Sequence, residues 1–202
     1  DLNNYRNNLI VNVIIHEYKS CKDRHFLILS DRVDHLKNLK EIFNKNGINS
    51  VGFFIGEISK EELELSKKCK IILGTYSMAN EGLDIPTLNC LVLASPKNEI
   101  FQSIGRISRL QEKKQKIKPL IIDFIDIISV FINESEKRLN LYKKNNYSIT
   151  DYVYNEPKKT FEKNLSKNKN YNIYLIDKEN ENEDMNKICK TNKNNNLVDN
   201  IF

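Results

Sequence analysis

Two segments of the chain carry residue types and spacings suited to handling a phosphate. The first is Gly74-Thr75-Tyr76-Ser77-Met78-Ala79-Asn80-Glu81-Gly82-Leu83-Asp84-Ile85-Pro86. It follows the apolar run Ile71-Ile72-Leu73, so it should leave the C-terminal end of a buried strand, the edge at which open α/β sheets bind ligands. Thr75 offers a hydroxyl and a backbone N–H to a phosphate oxygen. Gly82 permits a tight backbone path, and Asp84 sets a carboxylate where a ribose hydroxyl could be held. Taken singly, these residues have plainer readings: Gly82 as a turn, Asp84 as a cap, Pro86 as a stop. The second segment is Gln102-Ser103-Ile104-Gly105-Arg106-Ile107-Ser108-Arg109. Arg106 and Arg109 lie three apart, hence on one face of a helix. Gly105 costs a helix interior about 1 kcal/mol relative to alanine, which is tolerated where another group must approach closely. Two guanidiniums beside such a gap could clamp the charge that builds on a transferring phosphoryl group. By spacing alone a solvent-facing basic helix fits equally well, because Lys113, Lys114, Lys116 and Lys118 follow.

The surrounding pattern supplies the elements that must position these residues. Leu2, Tyr5, Leu9 and Val13 recur at helical spacing, so residues 3–20 predict an amphipathic helix. His25–Leu29 is an apolar run of strand length ending at Ser30-Asp31, which can cap a helix bearing Val33, Leu36, Leu39, Ile42 and Phe43. Gly47 stands where a left-handed closing residue is wanted. Ser50–Ile55 predicts a second strand, and Ser59 with Glu62 makes a capping box for a short helix over 60–68. Further strands are expected at Ile71–Leu73, Leu91–Ala94 and Leu120–Ile125, with helices over 98–110 and 129–144. Continuous apolar strands alternating with amphipathic helices indicate a parallel sheet covered on both faces. The expected fold class is α/β, doubly wound.

Composition adds bounds. The 202 residues are 40% hydrophobic with a formal net charge of +5, enough for one core and compatible with a phosphate-bearing partner. Cys21, Cys69, Cys90 and Cys189 form no CxxC pair, and the histidines are His16, His25 and His35, so no metal site is expected. The thiols read as reduced cysteines of an intracellular protein. Asn-x-Ser triplets begin at Asn133, Asn146 and Asn164, as chance allows in an Asn-rich chain. No apolar run has the length of a membrane span, and no signal peptide opens the chain. From about Pro157 Asn and Lys dominate, and only Tyr171–Ile176 has strand character. Residues 156–202 are therefore expected to form a flexible or weakly ordered extension behind a leading helix (1–20) and a folded lobe (21–155).

The Gly82-Leu83-Asp84-Ile85-Pro86 run after a Thr-led turn, followed by Gln102-x-x-Gly105-Arg106-x-x-Arg109, resembles motifs V and VI of superfamily-two helicases. Phe26-Leu27-Ile28-Leu29-Ser30-Asp31-Arg32 resembles motif IV of the same family. The resemblance covers residues 20 to 150 in the right order. The wording from Thr75 to Pro86, with Pro119-Leu120-Ile121-Ile122-Asp123 later, is most similar to DEAD/DEAH-like helicases of large cytoplasmic DNA viruses, the group of the poxvirus transcript-release helicase. The resemblance implies a C-terminal RecA-like lobe. Arg106 and Arg109 would reach the γ-phosphate of ATP, with Arg109 the arginine finger. Gln102, Gly105, Gly82 and Asp84 would face the nucleotide. Ser30, Arg32 and Thr75 would touch the sugar–phosphate backbone of a single-stranded or duplex nucleic acid, with low sequence specificity.

No Gly-x-x-x-x-Gly-Lys-Ser/Thr phosphate loop occurs in the chain. ATP and its Mg2+ are then expected to be bound mainly by an N-terminal RecA-like lobe outside these residues. The present chain alone should be inactive as an ATPase. Leu120–Asp126 imitates a magnesium-binding strand end, but its place after motif VI is that of a structural strand in the family. Two other readings stand beside this one: a non-catalytic nucleic-acid-binding module of the same fold, and a doubly wound domain for another nucleotide or sugar phosphate.

Overall fold

The computed structural model describes residues 2–56, 58–97, 100, 117–126, 129–155, 160–163 and 172–178. Five parallel strands form the body of one sheet: β1 (Phe26–Ser30), β2 (Val51–Phe54), β3 (Ile71–Thr75), β4 (Cys90–Leu93) and β5 (Leu120–Ile125). Three more strands, β6 (Tyr147–Asn155), β7 (Thr160–Lys163) and β8 (Asn172–Lys178), join antiparallel, and the order across the sheet is β2-β3-β1-β4-β5-β8-β6-β7. The helices among the described residues are α1 (Leu2–Ser20), α2 (Val33–Lys45), α3 (Lys60–Ser66), α4 (Tyr76–Gly82) and α5 (Ser129–Lys144).

The strands are apolar throughout because both faces are covered, and alternation within each strand divides the core in two. Phe26, Ile28, Ile71, Leu73, Val92 and Ile122 point to one face. There they meet Ile10 and Ile14 of α1 and Leu36, Leu39 and Phe43 of α2. Leu27, Leu29, Ile72, Leu91, Leu93 and Ile121 point to the other, against Tyr76 and Ala79 of α4, Leu63 of α3 and Tyr142 of α5. The expected doubly wound α/β architecture is present.

Local signals act much as their chemistry requires. Gly47 has φ +78° and closes α2. At Ser59 the side chain accepts from the Glu62 N–H while the Glu62 carboxylate accepts from the Ser59 N–H, so the capping box forms. Gly52 lets α3 lie against β2: a Cβ there would meet the Ser66 Cα at 2.6 Å.

Three readings change. Helix α2 begins one residue later than the Ser30-Asp31 cap implies; Arg32 occupies the N-cap position and gives no side-chain cap bond. Ser30 is fully buried, and its hydroxyl accepts from the Arg32 N–H at 3.3 Å instead of from the first helical turn. Helix α1 is buried over an arc wider than one stripe, with Leu9, Ile10, Val11, Val13, Ile14 and Ile15 all enclosed while Tyr5 stays 36% exposed. Beyond residue 155, β7 and β8 are strands that enlarge the sheet. Of these only β8 coincides with a segment of strand character, Tyr171–Ile176, since pairing partners distant in sequence supply what a short, polar segment lacks. The helix expected over 98–110 lies outside the described residues except for Ile100, which is fully buried in the second core.

Candidate functional site

All five parallel strands end at the same edge, so the loops after β1, β3, β4 and β5 are neighbours by construction. Chain order fixes where a crevice opens. From β1 the chain passes to one side of the sheet, and from β4 it passes to the other. The adjacent C-terminal ends of β1 and β4 therefore flank a topological switch point, the usual ligand crevice of such sheets.

The residues at this crevice form a connected set. The Asp31 N–H donates to Ser95 Oγ at 3.1 Å, and Lys97 Nζ donates to the Asp31 carboxylate at 2.9 Å. Arg32, beside them, is exposed, and its guanidinium makes no hydrogen bond or ion pair among the described residues. Ser30 pairs with Thr75 in the β1–β3 register, so the ends of β1 and β3 stand side by side. The structure thus brings Ser30, Arg32 and Thr75 to one edge. Their side chains differ in availability. Ser30 Oγ lies 2.9 Å from His35 Nδ1 and also accepts the Arg32 N–H, so it faces inward and orients Arg32. Thr75 is 9% exposed; its hydroxyl accepts from the Met78 N–H at 3.4 Å and lies 3.2 Å from Ser77 Oγ.

Gly82 is the last residue of α4, and Asp84 follows closely, exposed and without an ion pair among the described residues. Gln102, Gly105, Arg106 and Arg109 lie outside the described residues.

Sequence reasoning passes over the polar cluster beneath the crevice. Arg138 of α5 donates to both oxygens of Asp123 on β5, from Nε at 2.9 Å and Nη2 at 3.0 Å, and Tyr142 Oη donates to the same carboxylate at 2.9 Å. Arg138 Nη1 reaches the Lys97 carbonyl at 3.2 Å, and Tyr76 Oη donates to the Ser95 carbonyl at 2.8 Å. Burial pushes the Asp123 carboxyl and the Tyr76 and Tyr142 phenols upward. Burial also disfavours the Arg138 cation, and Asp123 opposite more than restores it. The bidentate geometry is that of an ion pair.

A second pair ties α1 to the same edge: Arg6 donates to the Asp126 carboxylate from Nε at 2.7 Å and Nη2 at 2.8 Å, and from Nη1 to the Ala94 carbonyl at 2.8 Å. His35, close to this pair, is held down to about 4 by burial first and then by the Arg6 cation. The only sequence signal for either pair is an acid at a strand end, and that signal says nothing about its partner. Asp123 and Asp126 are both closed off by guanidiniums and do not fit a magnesium site. Among the described residues no group of three or more His, Cys, Asp or Glu side chains is placed to hold a metal ion. No helix among them is long and apolar enough to cross a membrane.

No protein-family model matches the chain. It is 37% identical over 136 residues, 66% of its length, to a protein of Acanthamoeba polyphaga mimivirus named as a putative ATP-dependent RNA helicase, covering 26% of that protein. It is 29% identical over 166 residues, 74% of its length, to a protein of invertebrate iridescent virus 6 named as a putative helicase, covering 36% of it. The chain thus spans about a quarter to a third of the length of these relatives. Among solved structures it is similar to T4 UvsW at 19% identity and a TM-score of 0.49, over 70% of this chain and 33% of that one.

Proposed function

Because this chain is a relative of the helicases of large DNA viruses, as its motifs indicate, we propose that it is the C-terminal lobe of an ATP-dependent nucleic-acid helicase or translocase. The observation that carries the reading is the convergence, at one switch-point crevice, of the ends of β1 and β3 with the loop that leads towards residues 102–109. In this reading ATP binds between this lobe and an N-terminal lobe of the same protein. That other lobe supplies the phosphate loop and the Mg2+ ligands, in keeping with the guanidiniums that close off Asp123 and Asp126.

Arg106 and Arg109 meet the γ-phosphate when the lobes close, and they stabilise charge that is greatest in the transition state. Gln102, Gly105, Gly82 and Asp84 border the nucleotide. Arg32 and Thr75 contact the sugar–phosphate backbone of the tracked strand, with Ser30 holding Arg32 in place from beneath. Contacts of this kind carry no base code, so binding is general in sequence and weakened by salt. Closure and reopening shift the grip along the strand.

The test is hydrolysis by a polypeptide joining this chain to its phosphate-loop lobe. Arg109→Ala should lower kcat by a factor of about 10³ or more, the usual order for an arginine finger, with folding intact. An unchanged kcat removes Arg109 from the site. The 202-residue chain alone should show no magnesium-dependent hydrolysis.

A further inference from the structure

The loop Ser95-Pro96-Lys97 is gripped from three directions. Tyr76, the first residue of α4, donates from Oη to the Ser95 carbonyl at 2.8 Å. Arg138 of α5 donates from Nη1 to the Lys97 carbonyl at 3.2 Å. The Asp31 N–H, at the end of β1, donates to Ser95 Oγ at 3.1 Å, and Lys97 Nζ returns to the Asp31 carboxylate at 2.9 Å. Just ahead of the loop, the Ala94 N–H is bonded to the Leu29 carbonyl at 2.9 Å, which fixes its root to β1. Just beyond it, Ile100 is fully buried in the core shared with Tyr76 and Tyr142, two residues before Gln102.

Packing alone does not require this arrangement. A phenylalanine at 76 would fill the same core, and Arg138 is already matched by the two oxygens of Asp123. The phenol of Tyr76 and the third donor of Arg138 are each directed to a backbone carbonyl of one three-residue loop. That loop also receives the amide of the strand end bearing Arg32. Tyr76 is next in sequence to Thr75, so any shift of Thr75 against a ligand moves the start of α4 and the donor on Ser95.

We infer that Tyr76 and Arg138 are positioning residues that link the strand-end grip on nucleic acid to the arginine-bearing segment, through the carbonyls of Ser95 and Lys97. The inference rests on the functional reading above and deepens it: strand engagement at Thr75 and Arg32 is transmitted to Arg106 and Arg109 by the placement of one loop. It needs no change in the sheet.

Tyr76→Phe tests it, since it removes one oxygen and retains the ring. In the 202-residue chain, hydrogen exchange at the Asp31 amide reports whether Ser95 is still in place, and exchange at the Ala94 amide reports on the sheet. Loss of one net hydrogen bond should speed Asp31 exchange about fivefold and leave Ala94 unchanged. Unchanged exchange at Asp31, or an equal rise at both amides, overturns the clamp. In the polypeptide joined to its phosphate-loop lobe, Tyr76→Phe should lower kcat about fivefold at constant KM for ATP. The same substitution should add nothing in a background carrying both Arg106→Ala and Arg109→Ala, because a positioning residue acts through the groups it places. Independent, multiplying effects refute the link. An Arg109→Ala protein with undiminished kcat sinks the arginine reading itself, while the Asp31 measurement still judges the clamp.

Discussion

Replacing Arg138 with methionine should make the stability of this fold depend on pH through a single carboxyl group. Arg138 and Asp123 are 2% and 0% exposed, and the substitution keeps most of the buried volume while leaving the carboxylate only the Tyr142 hydroxyl. At a separation of about 4 Å and an effective dielectric near 20, opposite charges attract by about 4 kcal/mol. Removing one partner of a buried pair typically costs about 3–5 kcal/mol. The lost bond to the Lys97 carbonyl adds about 1 kcal/mol. Asp123 can relieve part of this by taking up a proton, because burial pushes its carboxyl above the ordinary value of 3.8 and the opposing cation is gone. In the variant the folded state then binds the proton more tightly than the unfolded state does. Its stability is greatest below the unfolded pKa and declines as pH rises through the folded one. The deficit against the parent protein should therefore be small near pH 4 and approach its full value by about pH 7. Urea denaturation of both proteins at the two ends of that range measures it. Adding Asp123→Asn to Arg138→Met should make the deficit against the parent independent of pH. A deficit below about 1 kcal/mol at pH 7, or one equal at both pH values, would refute the buried ion pair.

Other outcomes follow from groups nearer the surface. His35 is held down to about 4, below its ordinary 6.5, so the unfolded chain takes up its proton first. Its contribution is complete above pH 6.5 and is lost as pH falls towards 4. His35→Gln should flatten the denaturation midpoint over that interval, and a slope parallel to the parent would count against it. Ser59→Ala should cost about 1 kcal/mol by opening the capping box of α3. A midpoint shift too small to resolve in denaturant would show that α3 frays without consequence. Arg32→Ala should weaken binding of unrelated oligonucleotides equally and reduce the salt slope by about 1. A loss confined to particular sequences would contradict a backbone contact.

The parallel sheet is legible because its strands are continuous apolar runs, and a strand buried on both faces needs no partner named to be recognised. Gly47, Ser59 and Glu62 are legible because each acts within a few residues of itself. What escapes is chemistry whose partners are far apart in the chain. Arg138 and Asp123 are 15 residues apart and Arg6 and Asp126 are 120 apart, so no spacing rule joins them. At a strand end, Ser30 suggests a cap or a backbone contact. Its hydroxyl instead faces His35, an orientation fixed by the entry of α2 and not by the neighbouring residues. Tyr76 looks replaceable, since the sequence offers no hint that a carbonyl 19 residues on accepts from its hydroxyl. β7 escapes a reading by composition because a four-residue edge strand is stabilised by its ladder more than by its own residues, whereas β6 carries the β-branched and aromatic residues Tyr147, Ile149, Thr150, Tyr152 and Val153 that favour a strand.

The last described strand is not at the margin of the sheet. β8 runs between β5 and β6, pairing Ile122 with Leu175 on one side and Thr150 with Leu175 on the other. A chain cut at residue 155, where the composition changes, would lose the seam that joins β6 to the parallel strands. The edge of β5 that faces β8, from Leu120 to Ile125, would lose its partner and become a template for self-association. β8 thus acts as a wedge that closes an otherwise adhesive flank, and trimming it for convenience should yield a sticky protein, not a tidier one.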